Sequence, residues 1–80
     1  MKKRNQEYLN AFGANLKKLI DSYGITPEEV AAHGSIETKQ VYRVINGEHS
    51  ATLSIIYAIA VGMNVKPKVL FDFEFNDKSN

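Results

Sequence analysis

Eighty residues suffice for one compact domain and are too few for two, so any site must be built on a single small core. Hydrophobic residues make up 44% of the chain and charged residues 24%, which excludes a disordered polymer, and the lack of cysteine excludes disulfide frameworks and thiolate metal sites. The formal net charge is only +1, so an anionic partner would have to be held by the placement of charge rather than by its total.

Residues 1–7 read as a basic N-terminal arm containing Lys2, Lys3 and Arg4, with no apolar segment behind it that would make a secretory signal. The longest apolar stretch, residues 53–65, is interrupted by Ser54, Tyr57, Gly62 and Asn64 and is too short to span a bilayer. A cytoplasmic protein with no membrane contact is expected. Leu9, Phe12, Leu16, Leu19 and Ile20 then recur at three- and four-residue steps, the stripe of a first helix ending near Tyr23 and Gly24, with Gly24 suited to a left-handed cap. Thr26-Pro27-Glu28-Glu29 supplies a hydroxyl N-cap, a proline at the first helical position and a glutamate three residues after the cap, which opens a second helix over residues 27 to about 33. Val30 and Ala31 should face inward, and His33-Gly34-Ser35 should break the pattern.

A third helix is predicted over residues 37–45, stopped by Asn46-Gly47, a pair suited to left-handed backbone. Val41, Val44 and Ile45 form its apolar stripe, whereas Thr38, Lys39, Tyr42 and Arg43 share the opposite surface. Lys39 and Arg43 are like charges four residues apart, a pairing that costs an isolated helix about 0.2–0.5 kcal/mol and that a bound polyanion would reverse. From a Thr52 cap a fourth helix should turn Leu53, Ile56, Ile59, Ala60 and Met63 inward and close at Gly62-Met63-Asn64. Pro67 starts a short fifth helix whose Leu70 and Phe71 would cover the open side of the core. Residues 72–80 form an extended or frayed tail; Phe73 and Phe75 alternate with acidic residues there. They would either pair with a second copy to build a homodimer or fold back, for example on Tyr8 and Leu9.

His33 and His49 have no cysteine beside them, Ser35, Ser50 and Ser54 lack a nucleophile-elbow setting, and no glycine-rich phosphate loop is present. Neither an enzyme nor a metal or other cofactor is expected.

Gly24-Ile25-Thr26, Val30-Ala31, Ile36, Val41 and Asn46-Gly47, continued by Thr52-Leu53, Ile56, Ile59-Ala60 and Met63-Asn64-Val65, resemble the Cro/cI or xenobiotic-response-element class of helix-turn-helix proteins. The resemblance covers residues 12 to 71 and implies an all-α, five-helix, lambda-repressor-like DNA-binding domain, bounded here as residues 8–71. It also implies a transcriptional regulator that lays its third helix in the major groove of double-stranded DNA. Carried over by position, Thr38, Lys39, Gln40, Tyr42 and Arg43 would contact bases, and Thr26, Asn46 and Lys17 would contact phosphates. Three features depart from the family pattern. Gly34-Ser35 replaces an apolar residue followed by glycine in the turn, and Glu37 brings a carboxylate to the reading helix. Ile20 and Ile45 stand where many members pair an arginine with a glutamate, which predicts that the two isoleucines pack directly against each other in place of the ion pair. The alternative is a helix-turn-helix scaffold, such as an antitoxin or accessory subunit, whose main partner is another protein; the low net charge and the phenylalanine tail favour it.

Overall fold

The computed structural model describes residues 2–48 and 51–75, with side chains from residue 5 onward, in five helices: α1 (Lys2–Ser22), α2 (Pro27–Gly34), α3 (Thr38–Ile45), α4 (Leu53–Met63) and α5 (Pro67–Leu70). The all-α, five-helix architecture expected from the sequence is the one observed, with no strand among the described residues. His49, Ser50 and residues 76–80, with the frayed end expected there, lie outside the described residues.

One apolar cluster joins all five helices: Phe12, Leu16 and Ile20 from α1, Val30 and Ala31 from α2, Val41 and Val44 from α3, Ile56, Ile59, Ala60 and Met63 from α4, and Leu70 from α5. Ile20 is fully buried and Ile45 is half-buried against the same cluster, so both family ion-pair positions are used here for apolar packing. Replacing both charged partners together is the tolerable form of that change, because neither leaves a buried charge alone.

α1 begins earlier than the sequence suggests. Residues 2–7, expected as an arm, are its first turns, and within them Gln6 Nε2 donates to Asn10 Oδ1 and to the Gly47 carbonyl, each at 2.8 Å. That side chain ties the start of α1 to the loop after α3.

The first four helices end by the same device. A left-handed residue, Gly24, Ser35, Gly47 or Asn64, is followed by an N–H that reaches back five residues. Ile25 bonds Ile20 at 3.3 Å, Ile36 bonds Ala31 at 3.0 Å, Glu48 bonds Arg43 at 2.9 Å and Val65 bonds Ala60 at 3.0 Å. Ile25, Ile36 and Val65 then pack on the core, which turns each chain reversal back into the domain. Two expectations shift in detail. Asn46 keeps right-handed backbone and Gly47 alone turns left-handed, and in the turn after α2 the left-handed residue is Ser35 rather than Gly34. A serine at φ 60° carries a Cβ penalty that glycine lacks. Ser35→Gly is therefore expected to raise stability by about 0.5–1 kcal/mol, a net of relieved strain against the larger entropy of an unfolded glycine. Thermal melting checks it, and a lower Tm would mean that the strain argument fails.

Gly34 serves close packing instead. α2 runs through it, and a methyl group there would overlap the carbonyl oxygen of Ala58. Gly62, inside α4 rather than closing it, faces the Val30 carbonyl in the same way. The two glycines let α2 and α4 cross with backbones in contact, and this crossing holds the helix-turn-helix pair on the core.

Two apolar expectations are corrected, and a third that was left open is resolved. Leu53, expected inside, is 85% exposed, because it lies in the first turn of α4 at the edge of the buried face. Phe71 is 46% exposed; its ring lies 5.0 Å from that of Phe12 on the rim of the core, while Leu70 alone fills the interior, helped by Asn15 Nδ2 donating to the Leu70 carbonyl at 3.4 Å. The tail forms no strand within its described part: Phe73 and Phe75 fold back onto Tyr8, with ring centroids at 5.5 and 5.1 Å. Both rings are half-buried there, in the fold-back arrangement that the sequence left open beside pairing with a second copy.

Candidate nucleic-acid interface

α3 is short and strongly two-faced. At about 100° per residue, Thr38, Lys39, Tyr42 and Arg43 fall within an arc of about 140°, and Val41, Val44 and Ile45 fall on the opposite side. Val41 is fully buried and Val44 is 7% exposed, so the apolar side seats the helix and the polar side is left outward, with Lys39 and Tyr42 exposed and Thr38 and Arg43 half-buried. Four of the five residues expected to contact bases therefore share one surface. Gln40 does not: it sits half-buried on the flank beside Val44.

Glu37 is the N-cap residue of α3, just before the helix, and its carboxylate makes no capping hydrogen bond. It lies instead 3.8 Å from Lys39 Nζ, both side chains being well over half exposed. An ion pair so long and so wet contributes little to stability. Lys39 is thus available to a stronger anion.

Tyr42 is anchored. Its hydroxyl donates to Glu28 Oε2 at 2.8 Å, a bond that crosses from α3 to the first turn of α2. The bond raises the Tyr42 phenol above its ordinary pKa, first through the hydrogen bond to Glu28, then through partial desolvation and the repulsion of the Glu28 charge. Because the protonated phenol is the bonded form, the link is intact at and below the ordinary phenol pKa and is lost as pH rises through the raised value. Glu28→Ala is expected to lower the Tyr42 pKa, followed through its ring resonances in an NMR titration. An unchanged titration would mean that the bond is not made in solution. Glu28 escaped the sequence reading because its partner lies fourteen residues away, and only the crossing of the two helices brings them together.

Thr26 caps α2 as its sequence suggests. Its side-chain oxygen accepts from the Glu29 N–H at 3.1 Å, and its own N–H donates to Glu29 Oε1 at 2.9 Å. Both groups are therefore engaged within the cap. Asn46 is the exposed C-cap residue of α3. Lys17 lies one turn along α1 from Gly13, which faces the Val44 and Ile45 carbonyls at the end of α3, and Lys17 bonds Asp21 at 2.7 Å in an exposed pair. Among the described residues no three His, Asp or Glu side chains converge as metal ligands, and no helix is long and apolar enough to cross a membrane.

No family model matches the chain, and no curated protein matches it. Among solved structures it is similar to the restriction-modification controller protein C.AhdI of Aeromonas hydrophila, with a TM-score of 0.73 and 27% identity over 79% of this chain and 96% of the other. The five-helix fold is shared with that controller protein, in agreement with the helix-turn-helix resemblance carried by the sequence. Within that fold α2 and α3 form the helix-turn-helix pair, whose geometry is set by the Ser35 turn, the glycine-lined crossing of α2 with α4 and the Tyr42–Glu28 bond.

Proposed function

We propose that this protein is a transcriptional regulator that binds duplex DNA sequence-specifically, with α3 in the major groove. The observation that carries this reading is the outward face of α3, where Lys39 and Arg43 stand one turn apart beside Thr38 and Tyr42 on a helix whose other side is buried. Two cations so placed are mildly unfavourable together until an anion meets them. The likeness to a controller protein supports a regulatory role rather than catalysis. The protein would act in the cytoplasm, without a cofactor.

In this reading Lys39 donates to guanine O6 and N7, Thr38 meets a thymine methyl or a polar base edge, and Tyr42, steered by Glu28, lies against the next base pair. Arg43 reaches a base or a phosphate, and Gln40 contacts a base only at the edge of the groove. Asn46, Lys17 and the α2 N-terminus at Thr26 are phosphate contacts, with Thr26 the weakest because Glu29 already takes up its cap. Selection of bound sequences from a random duplex pool tests the proposal. Enrichment of a defined site, with binding that weakens steeply between low and physiological salt, is expected. Paired half-sites about 34 Å apart, or a multiple of that, would mark a two-fold dimer. No enrichment of any duplex would refute it.

A further inference from the structure

α3 itself carries no acidic residue, and Glu37 stands directly before it. The Glu37 backbone is extended, at φ −75° and ψ 143°, and its carbonyl accepts from the Gln40 N–H at 3.0 Å. The side chain takes no part in that cap. N-caps favour the short side chains of serine, threonine, aspartate and asparagine, and a glutamate belongs three residues into the helix, where Glu29 serves α2. The Glu37 carboxylate instead lies exposed, 3.8 Å from Lys39 Nζ. Neither the core nor the cap uses it. On a surface that meets phosphates, such a charge weakens binding to every duplex alike unless a donor on a base edge meets it.

We propose that Glu37 is a specificity-determining residue, which accepts from the N4 amino group of the cytosine whose guanine partner is read by Lys39. The assignment rests on α3 lying in the major groove, as proposed above. In a G·C pair cytosine N4 and guanine O6 are joined by an N–H···O hydrogen bond, so they lie about 2.9 Å apart on the groove edge. A carboxylate and an ammonium 3.8 Å apart match that spacing in the opposite sense, acceptor to donor and donor to acceptor. Lys39 Nζ has three hydrogens, enough for guanine O6, guanine N7 and Glu37 together. The second N4 hydrogen, free of the base pair, points into the groove and meets the carboxylate. The ion pair that is weak in water thereby becomes one side of a closed ring of hydrogen bonds.

Other pairs fit less well. With thymine in place of guanine, Lys39 keeps a single acceptor, O4, and the carboxylate meets adenine N6 beside the N7 lone pair, which repels it. With the G·C pair reversed, the ammonium faces the N4 donor and the carboxylate faces O6 and N7. Glu37 thus lowers affinity for DNA in general and raises the ratio between sites, which is how a repulsive element confers specificity. A net charge of only +1 accords with a surface that gives up general attraction for discrimination.

The test starts from the duplex selected by the wild type and from the pair at which Lys39→Ala relaxes the preference. Affinities of the wild type, Glu37→Gln and Glu37→Ala are measured on that duplex, on its base-pair variants at that position, and on a duplex carrying N4-methylcytosine there, whose methyl group replaces the free hydrogen. N4-methylation should weaken the wild type about fivefold or more and leave Glu37→Ala unaffected. Glu37→Gln should move the preference from cytosine to adenine, whose N6 and N7 suit an amide. Glu37→Ala should bind an unrelated duplex at least as tightly as the wild type does, the opposite of Lys39→Ala. A role at the helix end alone would change the melting temperature and leave these preferences in place. N4-methylation that weakens the wild type and Glu37→Ala equally, or neither, would overturn the assignment and leave the groove reading intact, as would a Lys39→Ala protein with wild-type base preferences. No selected duplex at all would overturn both.

Discussion

Gly62→Ala is expected to lower the unfolding free energy by about 2–3 kcal/mol, even though alanine is the better helix former by about 1 kcal/mol. The added methyl would overlap the carbonyl oxygen of Val30. A backbone atom cannot swing aside like a side chain, so the clash is relieved only if α2 moves away from α4. That movement loosens Val30, Ala31, Ile59 and Ala60, all at most 1% exposed, and overpacking of this kind typically costs about 1–3 kcal/mol before any further strain. In a domain of this size, with about 4–12 kcal/mol of total stability, the loss is a large share. Gly34→Ala should behave alike, since its methyl would meet the Ala58 carbonyl on the same crossing. One separation of the helices relieves both overlaps. The double variant should therefore lose less than the two single losses combined, a coupling that urea denaturation of the four proteins would measure. Additive losses, or a Gly62→Ala protein as stable as the wild type, would show that the helices do not cross in contact here.

Those glycines also mark what the sequence hides. Helix starts were legible because capping is local: Thr26, Pro27 and Glu29 declare the start of α2, and Thr52 declares the start of α4, accepting from the Ile55 N–H at 3.2 Å. The seat of α3 was legible because Val41 and Val44 keep a helical period with no competing apolar residue on the far side. Gly34 read as a breaker because glycine usually is one; its use as a spacer depends on Ala58, which lies far along the chain. Leu53 read as core for a similar reason. Its spacing to Ile56 and Ala60 fits the buried stripe, but spacing does not report whether a neighbouring helix reaches the first turn. The period-two pattern of Phe73 and Phe75 likewise described spacing correctly and not destination, which is set by the Tyr8 ring on α1. At the candidate interface the four outward residues of α3 were legible, whereas Glu28 became visible only once the crossing of α2 and α3 was known.

Lys39→Ala combined with Arg43→Ala should lower affinity for the selected duplex by about 30- to 1,000-fold, or about 2–4 kcal/mol, while leaving the fold as stable as before or slightly more so. The two halves of that expectation have separate causes. Neither side chain contributes to the core, and Lys39 has only the 3.8 Å Glu37 contact to lose. Removing two like charges one turn apart and adding two good helix formers favours the helix by a few tenths of a kcal/mol. Loss of binding without loss of stability therefore points to contact with DNA rather than damage to the scaffold. The single variants divide the roles. If Lys39 reads guanine, Lys39→Ala should relax the preference at one base position. If Arg43 holds a phosphate, Arg43→Ala should weaken binding evenly across sequences and reduce the slope of log affinity against log salt by about 1. Tyr42→Phe keeps the ring but loses its bond to Glu28, so it should soften the preference beside the Lys39 contact with little change in that slope. Unchanged affinity in the double variant would remove α3 from the DNA-reading role.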